Sequence, residues 1–133
     1  MRGPVKKNKA TILVIDDDAD IRELIKILLE SDGYDVNIAS DGVEALEQLR
    51  SGPLPGLIIL DLMMPRIDGE EFMKQIRQAR YGHIPVVVMS GYNSAQKQAR
   101  ELDADSCLMK PIEVEELFNT VKQYTTKSAR DVA

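Results

Sequence analysis

The stretch Thr11–Asp18, TILVIDDD, decides the fold, because a run of apolar and β-branched residues leads directly into three aspartates. A nearly continuous apolar run is typical of a strand buried on both faces, as in a parallel sheet covered by helices. The runs LIIL at 57–60 and VVVM at 86–89 have the same character, and weaker runs follow at 36–39 and 107–109. The chain is therefore predicted to contain five strands.

Between these runs, apolar residues recur at the spacing of an amphipathic helix. The stretch 93–102 is poorer than the others, since only Ala95, Ala99 and Leu102 recur in it. This fourth helix is therefore predicted to be the least firmly anchored and the easiest to move. The other four helices are predicted from the stripes Ile21, Leu24, Ile25, Leu28 and Leu29; Val43, Leu46 and Leu49; Phe72, Met73 and Ile76; and Val114, Leu117, Phe118 and Val121.

Five strands that alternate with five helices predict βαβ units with right-handed crossovers. The fold class is therefore α/β. The architecture that suits this count is a doubly wound five-stranded parallel sheet in the order 2-1-3-4-5, with helices on both faces. The chain shows no internal repeat and no low-complexity segment.

The length of 133 residues suits a single domain with a sizeable core. The prediction divides the chain into a basic flexible tail at 1–9, a folded domain at 10–125 and a C-terminal tail at 126–133. The first nine residues contain four basic side chains and no acid, so the rest is more acidic than the net charge of −5 implies. This acidic body argues against direct nucleic-acid binding, which depends on Lys and Arg.

Location is predicted from what the sequence lacks. No apolar run approaches the ~20 residues of a membrane span, and the basic N-terminus lacks the apolar stretch of a signal peptide. The lone Cys107 excludes an internal disulfide framework. A cytoplasmic protein is expected.

Polar side chains interrupt the apolar pattern at the carboxyl ends of four predicted strands. Asp16 and Asp17 follow the first strand, Asp61 ends the third, Ser90 ends the fourth and Lys110 ends the fifth. In the order 2-1-3-4-5 these four strands are neighbours, about 4.8 Å apart. Ligands of such open sheets bind outside the carboxyl ends of the strands, so these groups are predicted to converge on one patch.

Carboxylates on adjacent strand ends repel each other unless one is protonated or a cation lies between them. Oxygen ligands suit Mg²⁺, with Mn²⁺ as a substitute, and no His or Cys cluster favours zinc. Lys110 and Ser90 suit a phosphoryl group, and an Asp carboxylate is a known nucleophile for phosphoryl transfer. Asp61 is the candidate nucleophile, because it directly follows the most apolar strand. Each group alone has a plainer interpretation; the aspartate run, for example, could simply cap a helix.

The motifs that carry these residues resemble the receiver domains of bacterial response regulators, over roughly residues 10–125. They are, in order, ILVIDDDADIRELI, LIILDLMMPRIDGEEF, IPVVVMSGY and CLMKP. The resemblance implies a flavodoxin-like fold with Asp61 as phosphoacceptor. It implies Mg²⁺ ligation by the acidic pair Asp16 and Asp17, with Asp17 the direct ligand, by Asp61, and by the backbone carbonyl of Met63. It also makes Ser90 the switch hydroxyl.

The resemblance further implies that Lys110 assists the transfer and that the Lys110–Pro111 bond is cis. The domain is then expected to take its phosphoryl group from a histidine kinase or a histidine phosphotransfer protein, and to hydrolyse it slowly. It would not be a turnover enzyme. Phosphorylation would pull on Ser90 and shift the fourth helix, which changes the binding of a downstream protein. A monomer or a weak phosphorylation-dependent dimer is expected.

One departure from the family concerns Cys107, which stands where the family usually has Tyr or Phe as an aromatic switch. Tyr92 is a candidate substitute for that aromatic ring. Cys107 itself is interpreted as a small core residue rather than a redox sensor.

Two alternatives remain open from the sequence. The first is a pseudo-receiver that binds proteins and is never phosphorylated, which the intact acids, Ser90 and Lys110 oppose. The second is an aspartyl-phosphate hydrolase or a flavin or nucleotide carrier. Such a hydrolase would have a second Asp where Met63 stands, and the chain lacks a P-loop, a GxGxxG motif and any Trp. The chain is expected to be either a stand-alone regulator or a receiver taken from a longer protein.

Overall fold

The computed structural model describes residues 9–63, 69–78, 83–91 and 95–132. Five parallel strands form one sheet in the order β2-β1-β3-β4-β5, which confirms the predicted topology. Each strand follows an apolar run of the sequence. The strands are β1 (Thr11–Ile15), β2 (Asp35–Ala39), β3 (Leu57–Asp61), β4 (Val86–Gly91) and β5 (Ser106–Lys110).

Five helices follow the strands in turn, as the apolar stripes predict. The last helix continues through residues 126–132, where the sequence suggested a tail, whereas residues 1–8 of the expected basic tail lie outside the described ranges. Among the residues described, no helix is both long and apolar enough to span a bilayer. The helices are α1 (Ala19–Ser31), α2 (Gly42–Ser51), α3 (Gly69–Gln78), α4 (Ala95–Leu102) and α5 (Val114–Val132).

Two apolar clusters form the core, and the sheet lies between them. Successive strand residues point to opposite faces, so Leu13 belongs to one cluster and Ile12 to the other. Helices α2, α3 and α4 cover the first face, and α1 and α5 cover the second. All five residues of the central strand β3 are buried, which explains why its sequence is the most apolar.

The loop from β1 to α1 is held by a helix cap. Asp18 is the N-cap of α1, and its side chain accepts hydrogen bonds from the backbone N–H groups of Asp20 at 3.0 Å and Ile21 at 3.3 Å. For this one member of the aspartate run the plainer interpretation as a helix cap is therefore correct, and the cap satisfies N–H groups that lack a helical partner. The cap fixes the chain directly after Asp16 and Asp17.

Helix α4 buries little of its surface. Among its described side chains Ala99 alone is buried, and Leu102 packs against the same cluster while partly exposed. A short helix held by so few apolar contacts costs little free energy to move. The weak apolar pattern of this segment thus predicted its packing correctly.

Asp103, between α4 and β5, adopts a left-handed backbone conformation with a φ of 60°. Because this conformation strains a residue with a Cβ atom, Asp103→Gly should raise the free energy of unfolding by about 0.5–1 kcal/mol. Urea denaturation at equilibrium measures the change. Asp103→Ala keeps the Cβ atom and should not gain stability; a loss of stability in the glycine variant would contradict the prediction.

Candidate functional site

Three carboxylates meet at the carboxyl edge of the sheet, as predicted. Asp16 follows β1 and is 0% exposed, Asp61 ends β3 and is 1% exposed, and Asp17 lies on the surface beside them. One carboxylate oxygen from each of the three lies within 4.8 Å of the others. Such a cluster is a functional candidate, because buried acids this close to one another disfavour full ionisation without a cation.

Lys110, at the end of β5, supplies a positive charge to this cluster. Its Nζ lies 3.1 Å from Asp61 Oδ1 and 3.6 Å from Asp16 Oδ2. The lysine therefore bridges the two buried acids, and the prediction that it converges with them is correct. Three ionised carboxylates and one ammonium leave negative charge in excess, which a divalent cation would balance.

The Asp61 side chain is oriented by its own loop. Its Oδ1 accepts a hydrogen bond from the backbone N–H of Met63 at 2.9 Å, and the N–H of Leu62 donates to the Met89 carbonyl at 2.9 Å. These bonds tie the end of β3 to itself and to β4. The carboxylate is thus held at a set position at the edge of the sheet.

Asp16 is a buried acid whose surroundings disfavour its negative charge. The pKa of its carboxyl is raised to about 6, first by burial and also by the Asp61 charge, while the hydrogen bond from the Asp18 N–H and the charge of Lys110 lower it. The Asp18 N–H donates to Oδ1 at 2.9 Å. The other oxygen, Oδ2, is buried and has no hydrogen-bond partner among the described residues.

A buried carboxylate oxygen that accepts no hydrogen bond is available to bind a cation. The cluster offers only oxygen atoms, which suits Mg²⁺ or Mn²⁺ rather than zinc. The residues present therefore fit the predicted metal. Ligation by the Met63 carbonyl stays a prediction.

Arg22, on α1, is a contributor that the sequence did not single out. Its Nη1 donates to the backbone carbonyl of Asp16 at 2.8 Å, which fixes the chain at the root of the acid cluster. Its only sequence signal is a position six residues after Asp16, on the helix that the Asp18 cap begins.

Ser90 lies at the end of β4, 3% exposed, with Met109 of β5 as its register partner. It therefore stands between the strand that carries Asp61 and the strand that carries Lys110. Its hydroxyl donates to Gln98 Oε1 on α4 at 2.5 Å. Gln98 was not predicted from the sequence, since a glutamine on a weakly patterned helix gives no signal of a contact eight residues back.

The residues expected to complete the switch are only partly described. Cys107 lies in β5 and is partly buried against the core. Burial is the main cause that raises the pKa of its thiol, and the negative charge of Glu116 is the second. A raised pKa lowers the thiolate fraction, which supports its interpretation as a packing residue. Tyr92 lies outside the described residues. The Lys110–Pro111 bond is cis, as predicted.

An apolar groove of about 520 Å³ runs between α1 and α5 and reaches the site. Its walls include Leu24 and Leu28 of α1 and Val114 of α5, and its upper end is formed by Met63 and Lys110. Leu24 and Met63 are each more than half exposed. The groove thus ends at Lys110, which contacts the acid cluster.

Comparison with known families gives one match that covers most of the chain. The model of the response regulator receiver domain matches residues 12–122. Among curated proteins, the chain is 38% identical over 120 residues to the transcriptional regulatory protein CpxR homolog of Haemophilus influenzae, covering 89% of this chain and 51% of that protein. It is 43% identical over 109 residues to the response regulator MprA of Mycobacterium ulcerans, covering 80% and 46%. The chain thus spans about half the length of these relatives.

Solved structures of response regulators also share the fold of this chain. The chemotaxis response regulator CheY4 of Vibrio cholerae has a TM-score of 0.79 and 32% identity, with 88% of this chain and 99% of that chain covered. The receiver domain of the Francisella response regulator 1452 has a TM-score of 0.79 and 30% identity, with 90% and 98% covered.

Proposed function

Because this chain belongs to the response regulator receiver family of two-component signalling systems, we propose that it accepts a phosphoryl group on Asp61 and thereby switches the binding of a downstream protein. The observation that carries the proposal is the position of the Asp61 carboxylate. It is buried beside Asp16, with Lys110 Nζ 3.1 Å away. Buried acids beside a lysine at one edge of the sheet contribute little to fold stability, but they suit the stabilisation of charge on a phosphoryl group during its transfer.

In the proposed reaction an Asp61 carboxylate oxygen forms a bond to the phosphorus of the donor. The bond from phosphorus to the leaving atom breaks at the same time, and its electron pair stays with the leaving group. For a phosphohistidine donor the leaving atom is an imidazole nitrogen. Lys110 is already paired with Asp61, and its ammonium group can neutralise negative charge on the oxygens of the transferred phosphoryl group.

The metal would be held by the carboxylates of Asp16, Asp17 and Asp61 and by the Met63 carbonyl. When bound, Mg²⁺ supplies positive charge to the carboxylates and to the phosphoryl oxygens. The Oδ2 atom of Asp16, which is buried and accepts no hydrogen bond from the described residues, supports this assignment. The Ser90 hydroxyl would donate to a phosphoryl oxygen after transfer, in the switch role that the family resemblance implies.

The proposed donor is a histidine kinase or a histidine phosphotransfer protein, and the product acts on a downstream protein in the cytoplasm. The open groove beside Met63 and Lys110 leaves room for a protein donor to contact the chain next to Asp61. Slow self-hydrolysis of the aspartyl phosphate would end the signal. The proposed form is a monomer or a weak phosphorylation-dependent dimer that does not itself contact nucleic acid.

Incubation with acetyl phosphate and Mg²⁺ tests the proposal without a cognate kinase. The intact mass should rise by one phosphoryl group and then return slowly to its starting value, because the acyl phosphate hydrolyses. EDTA should prevent the gain, since three carboxylates would then oppose an incoming anion. An unchanged mass in the presence of Mg²⁺ would support the pseudo-receiver instead and would end the proposal.

A further inference from the structure

Ser90 and Gln98 form a contact that joins the edge of the sheet to α4. The Ser90 hydroxyl, 3% exposed, donates to the side-chain oxygen of Gln98 at 2.5 Å. Gln98 is itself partly buried on α4. The bond therefore lies in a partly shielded place, where a hydrogen bond is stronger than in bulk water.

A serine hydroxyl carries one proton and can donate it to one acceptor at a time. In the proposed function this proton goes to a phosphoryl oxygen on Asp61, and in the unphosphorylated protein it goes to Gln98 Oε1. The two acceptors thus exclude each other. Phosphorylation has to break the bond to α4 before Ser90 can contact the phosphoryl group.

Helix α4 is the element that this exchange would release. Only Ala99 among its described side chains is buried, with Leu102 partly so. A single side-chain hydrogen bond is a large share of the attachment of such a helix. Gln98 loses its donor in the exchange, and a partly buried polar group without a partner favours movement toward water.

We propose that Gln98 is a positioning residue, which directs the Ser90 hydroxyl toward α4 in the unphosphorylated protein and competes with the phosphoryl group for its proton. This proposal deepens the function proposed above and rests on it. The competition makes the phosphorylated state less stable than it would be without Gln98. It also couples the modification directly to the position of α4.

The test measures the affinity of the intact protein for BeF₃⁻, a phosphoryl mimic, with Mg²⁺ present. Gln98→Leu removes the acceptor at similar size and should tighten BeF₃⁻ binding about two- to tenfold, the effect of one neutral hydrogen bond. Gln98→Glu keeps an acceptor oxygen and should not tighten it. Lys97→Ala, an exposed neighbour on the same helix, is the matched control and should leave the affinity unchanged.

The Ser90→Ala background distinguishes the proposed competition from a merely structural role for Gln98. There the Gln98→Leu change should have no effect, because the competing proton is gone. A Gln98→Leu effect below twofold, or one that persists without Ser90, would overturn the role of Gln98 while leaving phosphorylation intact. A wild-type protein that fails to bind BeF₃⁻ would instead overturn the proposed function, and this proposal with it.

A second measurement needs no variant at position 98 and covers the case in which Gln98→Leu does not fold. The side-chain amide resonances of Gln98 in the wild-type protein should shift when BeF₃⁻ saturates the site. The same resonances should respond far less in Ser90→Ala. Amide signals that stay unchanged in a saturated wild-type protein would overturn the competition.

Discussion

Asp61→Asn is expected to abolish labelling by acetyl phosphate completely. The asparagine keeps the size of the side chain and an oxygen that can accept the Met63 N–H bond, but its amide is no nucleophile toward phosphorus. The loss should therefore occur without a loss of fold. Intact mass spectrometry after incubation with acetyl phosphate and Mg²⁺ measures it, and circular dichroism confirms that the variant is folded.

Asp35→Asn is the matched control for this variant. Asp35 is an exposed acid at the start of β2, so it lies at the opposite, amino edge of the sheet. The same chemical change there should leave labelling at the wild-type level. Labelling that survives in Asp61→Asn would move the acceptor to another carboxylate of the cluster and would refute the assignment of Asp61.

Asp16→Asn is expected to have two effects of opposite sign. It should stabilise the metal-free protein, because an amide in this buried position carries no charge to desolvate. It should also abolish the stabilisation that Mg²⁺ confers, because a ligand is lost. The asparagine oxygen can still accept the hydrogen bond from the Asp18 N–H, so the loop from β1 to α1 should keep its conformation.

The size and the pH range of the first effect follow from the pKa of Asp16, which the fold raises from 3.8 to about 6. The folded state then binds the proton more tightly than the unfolded state, so wild-type stability falls as the pH rises from about 4 to above 6. At one pKa unit per 1.36 kcal/mol, the variant should gain up to about 3 kcal/mol over wild type at pH 8 and little at pH 3.

Urea denaturation in EDTA at several pH values measures the gain, and repetition with Mg²⁺ measures the lost ligand. Asp17→Asn is the informative control, because Asp17 is exposed and its charge is not desolvated in the same way. That variant should lose the Mg²⁺ effect without the gain in stability that comes from removing a buried charge. A metal-free Asp16→Asn protein that is no more stable than wild type at pH 8 would contradict the prediction.

The element order and the sheet topology could be predicted from the sequence. Apolar runs such as LIIL at 57–60 and helical stripes such as Ile25 with Leu29 depend on local periodicity, which the sequence displays directly. The convergence of Asp16, Asp61 and Lys110 could also be predicted, because neighbouring parallel strands bring their carboxyl ends to one edge. The strand order alone therefore predicts that the aspartates and the lysine lie close together.

Only the tertiary structure decided the contacts between side chains and their electrostatic consequences. That Asp16 is buried while the adjacent Asp17 is exposed depends on how the loop packs, and burial is what raises the pKa of Asp16. The bond from Ser90 to Gln98 joins two elements through side-chain directions that periodicity does not specify. Sequence patterns determine which residues share an edge of the sheet, whereas packing determines which atoms meet there, because desolvation and hydrogen bonding act over distances of a few ångströms.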